Sequence, residues 1–154
     1  MKRRTFLQGS LAGSAVAVAV GAGLLSPQTV FAAWPKAAFE AKSVQDAMTG
    51  LFGSADSTAS DAIKIKAPDI AENGAVVPVS VDTSLTGVSK IALITEKNAN
   101  PLAASFDLGS TAKGFISTRL KMSKTSDVIA VVEAGGKRYA ARKNVKVTIG
   151  GCGG

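Results

Sequence analysis

From Ala62 to Ile149 the chain alternates apolar and polar residues with a period of two, broken at short intervals by Gly, Pro and small polar residues. That period belongs to strands with one face on a core. Ile63 and Ile65 alternate with Lys64 and Lys66. Val77, Val79 and Val81 share a face, as do Ile91 and Leu93, then Ala104, Phe106 and Leu108, then Ile116, Leu120 and Met122 with Thr118. Val128–Val132 is apolar on both faces and reads as a central strand. Pro78 lacks an N–H and points to a sheet edge or a bulge. Gly135-Gly136 signals a tight turn into the final strand, where Val145, Val147 and Ile149 oppose Lys146 and Thr148.

Ahead of this region the period changes to that of a helix. Ala37, Ala41, Val44, Met48 and Leu51 predict one helix from Pro35 to Phe52, with Pro35 at the first helical position and Gly53 as the stop. The small polar stretch GSADSTASDA that follows reads as a loop or linker. One helix followed by about seven short strands predicts a mainly β fold, an immunoglobulin-like antiparallel β-sandwich. A closed barrel is the alternative.

The first 33 residues belong to no fold. Lys2, Arg3 and Arg4 precede an apolar run from Leu11 to Leu25, and VFAAW places small residues for cleavage after Ala32 or Ala33. Arg3-Arg4 followed by Phe6 and Leu7, with a mild Gly/Ala-rich run behind, predicts a twin-arginine export signal and a periplasmic protein; a general secretory signal is the alternative. Interrupting glycines and Pro27 argue against a membrane anchor. The expected organisation is a signal over 1–33, a helix-plus-sandwich domain over 34–149 and an arm over 150–154.

Composition removes several classes of function. The 154 residues are 46% hydrophobic, enough for one core, but only 5% aromatic, so that core is aliphatic. With no His in the chain, His-dependent triads and His acid–base catalysis are excluded. One Cys and no His leave no ligand set for zinc or haem, and the carboxylates lack calcium-loop spacing, so no metal site is expected. The expected signal carries three basic residues and no acidic one, which leaves 15 basic and 11 acidic residues, a net +4. That modest charge, with one Trp and one Tyr, gives nucleic-acid binding little support. Lys137, Arg138, Arg142, Lys143 and Lys146 concentrate in the last hairpin; a solvated strand face is the first reading, docking to an acidic partner the second.

The sequence then reaches VKVTIGGCGG. Its single Cys152 is flanked by Gly150 and Gly151 on one side and Gly153 and Gly154 on the other. An odd cysteine in an exported protein implies an intermolecular bond or a working thiol. From Gly150 the backbone is thin and permissive, and it predicts a flexible arm of roughly 10 Å carrying the sulfur. The position does not fit prenylation, which needs the fourth residue from the end. The Gly-Gly ending is similar to that of ubiquitin-like sulfur carriers, but export removes the protein from the ATP those carriers need. The remaining alternative is an exported structural or adhesion sandwich joined into a disulfide dimer through Cys152.

GGCGG resembles the carrier motif of the SoxY family of thiosulfate oxidation, and APDIAENGAVVPVSV, NANPLAASFDL and the twin-arginine start resemble the same family over essentially the whole chain. The resemblance implies a covalent carrier rather than an enzyme, with Cys152 as the attachment point and no cofactor beyond the thiosulfate-derived adduct. It further implies a heterodimer with a second small β-protein, SoxZ, and three partner activities: a haem-containing conjugating enzyme, a sulfate-releasing hydrolase and a sulfane dehydrogenase. The lack of His suits a thiol left unactivated until a partner supplies the activation.

Overall fold

Two short helices, not one, begin the described part of the protein; the computed structural model describes residues 34–148. The expected export signal with Arg3 and Arg4, and the expected arm with Gly150, Gly151, Cys152, Gly153 and Gly154, lie outside the described residues. So does Ile149.

Helix α1 spans Lys36–Glu40 and α2 spans Val44–Phe52. The break falls at Ala41, which is extended (φ −56°, ψ 146°), and Ser43 restarts the helix. The Ser43 hydroxyl oxygen accepts the Asp46 N–H at 3.0 Å, and its O–H donates to the Asp46 carboxylate at 2.7 Å. This is a capping arrangement written in the sequence as S-x-x-D. The break shifts the helical phase, so Ala38 is buried while Ala37, on the expected apolar stripe, is exposed. Gly53 ends α2 as expected, at φ 77° with its N–H on the Thr49 carbonyl.

Among the described residues nine strands follow: β1 Thr58–Ala59, β2 Ile63–Lys66, β3 Ile70–Ala71, β4 Val77–Thr83, β5 Val88–Thr95, β6 Leu102–Asp107, β7 Phe115–Leu120, β8 Ser126–Ala134 and β9 Lys137–Val147. The fold is mainly β, in two sheets. One runs β1-β9-β8-β5-β6 with β3 also on β9; the other runs β2-β4-β7. The long ladders are antiparallel, as expected, whereas β1 and β3 pair with β9 in parallel. These two-residue strands cover part of what would otherwise be the open edge of β9.

The two sheets face each other across Val77, Val79, Val81, Ile116 and Leu120 from one side and Ile91, Leu93, Val128, Val132 and Val145 from the other. The opposite face of the larger sheet is not solvent. Ala92, Ile94, Ile129 and Val131 pack there against Ala38, Ala47 and Met48 of the helices. Strand β8, between β9 and β5, is therefore apolar on both faces because each face has its own layer above it. Each buried aliphatic side chain contributes about 1.5–3 kcal/mol. Pro78 pairs with Arg119 of β7 on one side, and the β2 ladder ends at Ser80, so no strand flanks Pro78 on the other side. Gly135 and Gly136, at φ 56° and 74°, form the expected two-residue turn of the β8–β9 hairpin.

Candidate functional site

The described chain stops four residues short of Cys152, so the site open to description is the root from which the expected arm leaves. Val145 is fully buried and is the last such residue of β9. Beyond it the backbone is fastened on both edges. On one edge the N–H groups of Lys146 and Thr148 donate to the carbonyls of Asp69 and Ala71 at 2.9 and 3.0 Å. On the other, the Val147 N–H donates to the Thr125 hydroxyl oxygen at 2.9 Å, and that hydroxyl donates to the Val147 carbonyl at 3.3 Å. Alternate N–H groups thus point to opposite sides, as in any strand, and each finds a partner as far as Thr148.

Two loops build the surroundings of this root. Asn73 makes a tight turn, with its Oδ1 accepting the Ala75 N–H at 2.9 Å. Gly74 presses against the neighbouring chain: a Cβ there would lie 2.4 Å from the Met122 carbonyl oxygen and 2.8 Å from Val147 Cγ1. The Met122 N–H donates to the Gly74 carbonyl at 2.7 Å, closing the contact. Asn98 holds the second loop, its Nδ2 donating to the Lys121 carbonyl at 2.7 Å and its Oδ1 accepting the Ser123 N–H at 2.9 Å. Neither Gly74 nor Asn98 carries a sequence signal of this bracing. The N-G dipeptide at Asn73-Gly74 marks the turn but not what it touches.

The basic residues of the last hairpin do not gather into one patch. They are strung along an 11-residue strand of about 35 Å, Arg138, Arg142 and Lys146 on one face and Lys137 and Lys143 on the other. Arg138 is spent on structure, donating to the Phe52 carbonyl at the end of α2 and to the Asp56 carbonyl at 3.2 and 3.0 Å. Arg142 pairs with Glu96 at 3.5 Å and Lys143 with Asp69 at 3.0 Å. Lys137 and Lys146 make no ion pair among the described residues. The solvated-face reading thus describes most of this strand, and only Lys146 stands at the root.

A groove of about 910 Å³ lies elsewhere. Thr83, Leu85, Val88, Leu108, Lys113 and Phe115 are among its lining residues. Gly87, also in its wall, accepts the Gly135 N–H at the turn of the β8–β9 hairpin. It therefore sits at the opposite end of β9 from the root. A sulfur four residues beyond Thr148 reaches about 13 Å and cannot meet it.

The chain matches the family described as "Sulfur oxidation protein SoxY" over residues 48–152. It is similar to a solved structure, the sulfur carrier protein SoxY from Chlorobium limicola f thiosulfatophilum, at 50% identity. That similarity covers 68% of this chain and 94% of the other, with a TM-score of 0.62. No curated protein matches the chain in sequence.

Proposed function

The chain belongs to the SoxY family of sulfur oxidation proteins, and on that premise we propose that it is a covalent carrier of thiosulfate-derived sulfur held on Cys152. The observation that carries this reading is the extent of the family match, which continues to residue 152 and so takes in Gly150, Gly151 and Cys152. The root adds support. A chain fastened on both edges through Thr148 offers a fixed pivot for a tether of Gly150 and Gly151.

In this proposal the chemistry balances through partners. Conjugation joins the Cys152 sulfur to the outer sulfur of thiosulfate. One S–S bond forms, the thiol proton leaves, and two electrons pass one at a time through the haem iron of a conjugating partner to an electron acceptor beyond it. Hydrolysis then breaks the bond to the sulfonate with one water, releasing sulfate and protons and leaving a persulfide on Cys152, with no change in electron count. A sulfane dehydrogenase oxidises the sulfur that remains. The chain supplies the attachment atom and its delivery, and acts as a carrier rather than an enzyme.

The rest of the proposal follows from the same premise. The two facing sheets are of immunoglobulin-like type over 34–149, residues 150–154 form the arm, and the working form is a periplasmic heterodimer with a SoxZ-like protein. Export runs through the twin-arginine route on Arg3 and Arg4.

Mass spectrometry of protein from cells grown on thiosulfate tests the carrier role. Masses of sulfur or thiosulfate-derived adducts on the peptide containing Cys152 are expected. A peptide found only as a disulfide dimer would replace this reading with that of a covalently linked structural protein.

A further inference from the structure

The reach of the thiol sets a condition on the surface around it. Cys152 lies four residue steps beyond Thr148, a span of about 13 Å when fully extended. A partner that takes the sulfur into a recessed active site must therefore bring its channel mouth down around Thr148. Whatever surrounds the root becomes the contact surface.

That surroundings has a distinct composition. Ile70 and Val76 are 57% and 51% exposed, two of the few large apolar side chains left to solvent among the described residues. Ile70 stands opposite Lys146 in the β3–β9 register. Val76 immediately precedes Val77, and Lys121 immediately follows Leu120, the register partner of Val77. Lys124 adjoins Thr125, the residue bonded to Val147. Lys121, Lys124 and Lys146 are exposed and make no ion pair among the described residues. Of the nearby carboxylates, Asp69 is matched by Lys143 at 3.0 Å and Asp127 accepts from the Asn144 amide at 2.8 Å, which leaves Glu72 and Asp127 against three lysines.

We propose that Ile70, Val76, Lys121, Lys124 and Lys146 form a docking collar for partner enzymes whose channel mouths are apolar and rimmed by Asp and Glu. The inference rests on the carrier reading and adds the surface through which the carrier is recognised. Cations on a rim govern encounter and its salt dependence, while a small apolar centre allows release after each transfer.

The test uses the full-length protein, charged with thiosulfate, and the purified sulfate-releasing partner. Its variants are Lys121→Glu/Lys124→Glu/Lys146→Glu, the milder Lys→Gln triple, and Ile70→Ser/Val76→Ser. Lys113→Glu, in the groove at the far end, is the control. The charge reversal is expected to raise KM at least tenfold with kcat within about twofold of wild type, and to abolish the fall in kcat/KM that salt produces with wild type. The Gln triple should give the same effect in smaller measure. The apolar pair should raise KM severalfold at every ionic strength. Alkylation of Cys152 by iodoacetamide in the uncharged protein should be unchanged in all of them. A KM equal to wild type in both sets, or an equal rise in the Lys113→Glu control, overturns the collar. So does a change confined to kcat or to alkylation, since that places the lysines on the adduct rather than on the partner. Sulfate release supported by Cys152→Ser defeats the carrier reading itself; an inactive Cys152→Ser beside fully active collar variants defeats the collar alone.

Discussion

Single residues around the root divide into those that do chemistry and those that hold backbone. In the carrier reading Cys152 contributes an atom and no packing, so Cys152→Ser should leave the melting temperature unchanged and abolish thiosulfate-dependent turnover in the reconstituted system. Turnover at the wild-type rate would falsify the assignment. Gly74 is the opposite case, a residue with no chemistry and no room. A methyl group 2.4 Å from a backbone oxygen must displace either Met122 or the Asn73-Gly74 turn. Gly74→Ala is expected to cost about 1–3 kcal/mol, as overpacking does, and to lower the melting temperature by several degrees. It also shifts Val147, so sulfate release should fall in the same variant. A melting temperature within a degree of wild type would show that the close approach has slack. Cys152 stands out in the sequence because glycines isolate it. Gly74 does not, because its constraint comes from residues 48 and 73 positions away.

Elements show the same division in another form. Strands of four or more residues announce themselves by alternation or, in β8, by an unbroken apolar run: Val77, Val79 and Val81 are all buried in β4, as their alternation requires. The two-residue strands β1 and β3 carry no period and were invisible in the loop GSADSTASDA and the segment APDIAENG. Yet β3 fastens one edge of β9 at the point where the expected arm begins. The continuous helical stripe from Ala37 to Leu51 likewise overlooked the restart at Ser43, although the S-x-x-D cap was there to read. The expected arm would be an element defined by backbone freedom. Gly150→Pro/Gly151→Pro fixes φ near −65° at both positions and thickens the tether. Labelling of Cys152 by a small alkylating agent should proceed at the wild-type rate. Delivery to the sulfate-releasing partner should fall by orders of magnitude, since misplacement by about 1 Å costs around a hundredfold. Wild-type rates in both assays would mean that the glycines are not a tether.

At the scale of the molecule, three layers account for the sequence's aliphatic bias. Helices on one face of the larger sheet and the second sheet on the other bury β8 from both sides, which Val, Ile and Ala fill without aromatics. A partner that binds this carrier before export would require translocation of folded protein, the task the twin-arginine route performs. In the proposed export reading, replacing Arg3 and Arg4 by Lys should strand the precursor in the cytoplasm, read by fractionation and immunoblotting. Normal periplasmic levels of mature protein would assign export to the general secretory route.

By itself the sequence determined what depends on neighbours in the chain. The strand period, the Gly135-Gly136 turn, the cap at Ser43 and the isolation of Cys152 among glycines are local, because side-chain direction, φ and capping bonds are settled within a few residues. Only the tertiary structure decided which strands meet, and with that the parallel seating of β1 and β3 on β9, the dispersal of the basic hairpin residues along a strand, and the clasp of Thr125 and Ala71 on the root. Those outcomes turn on contacts between residues 22 to 86 positions apart. Periodicity shows that a face is buried; it holds nothing about which other face buries it.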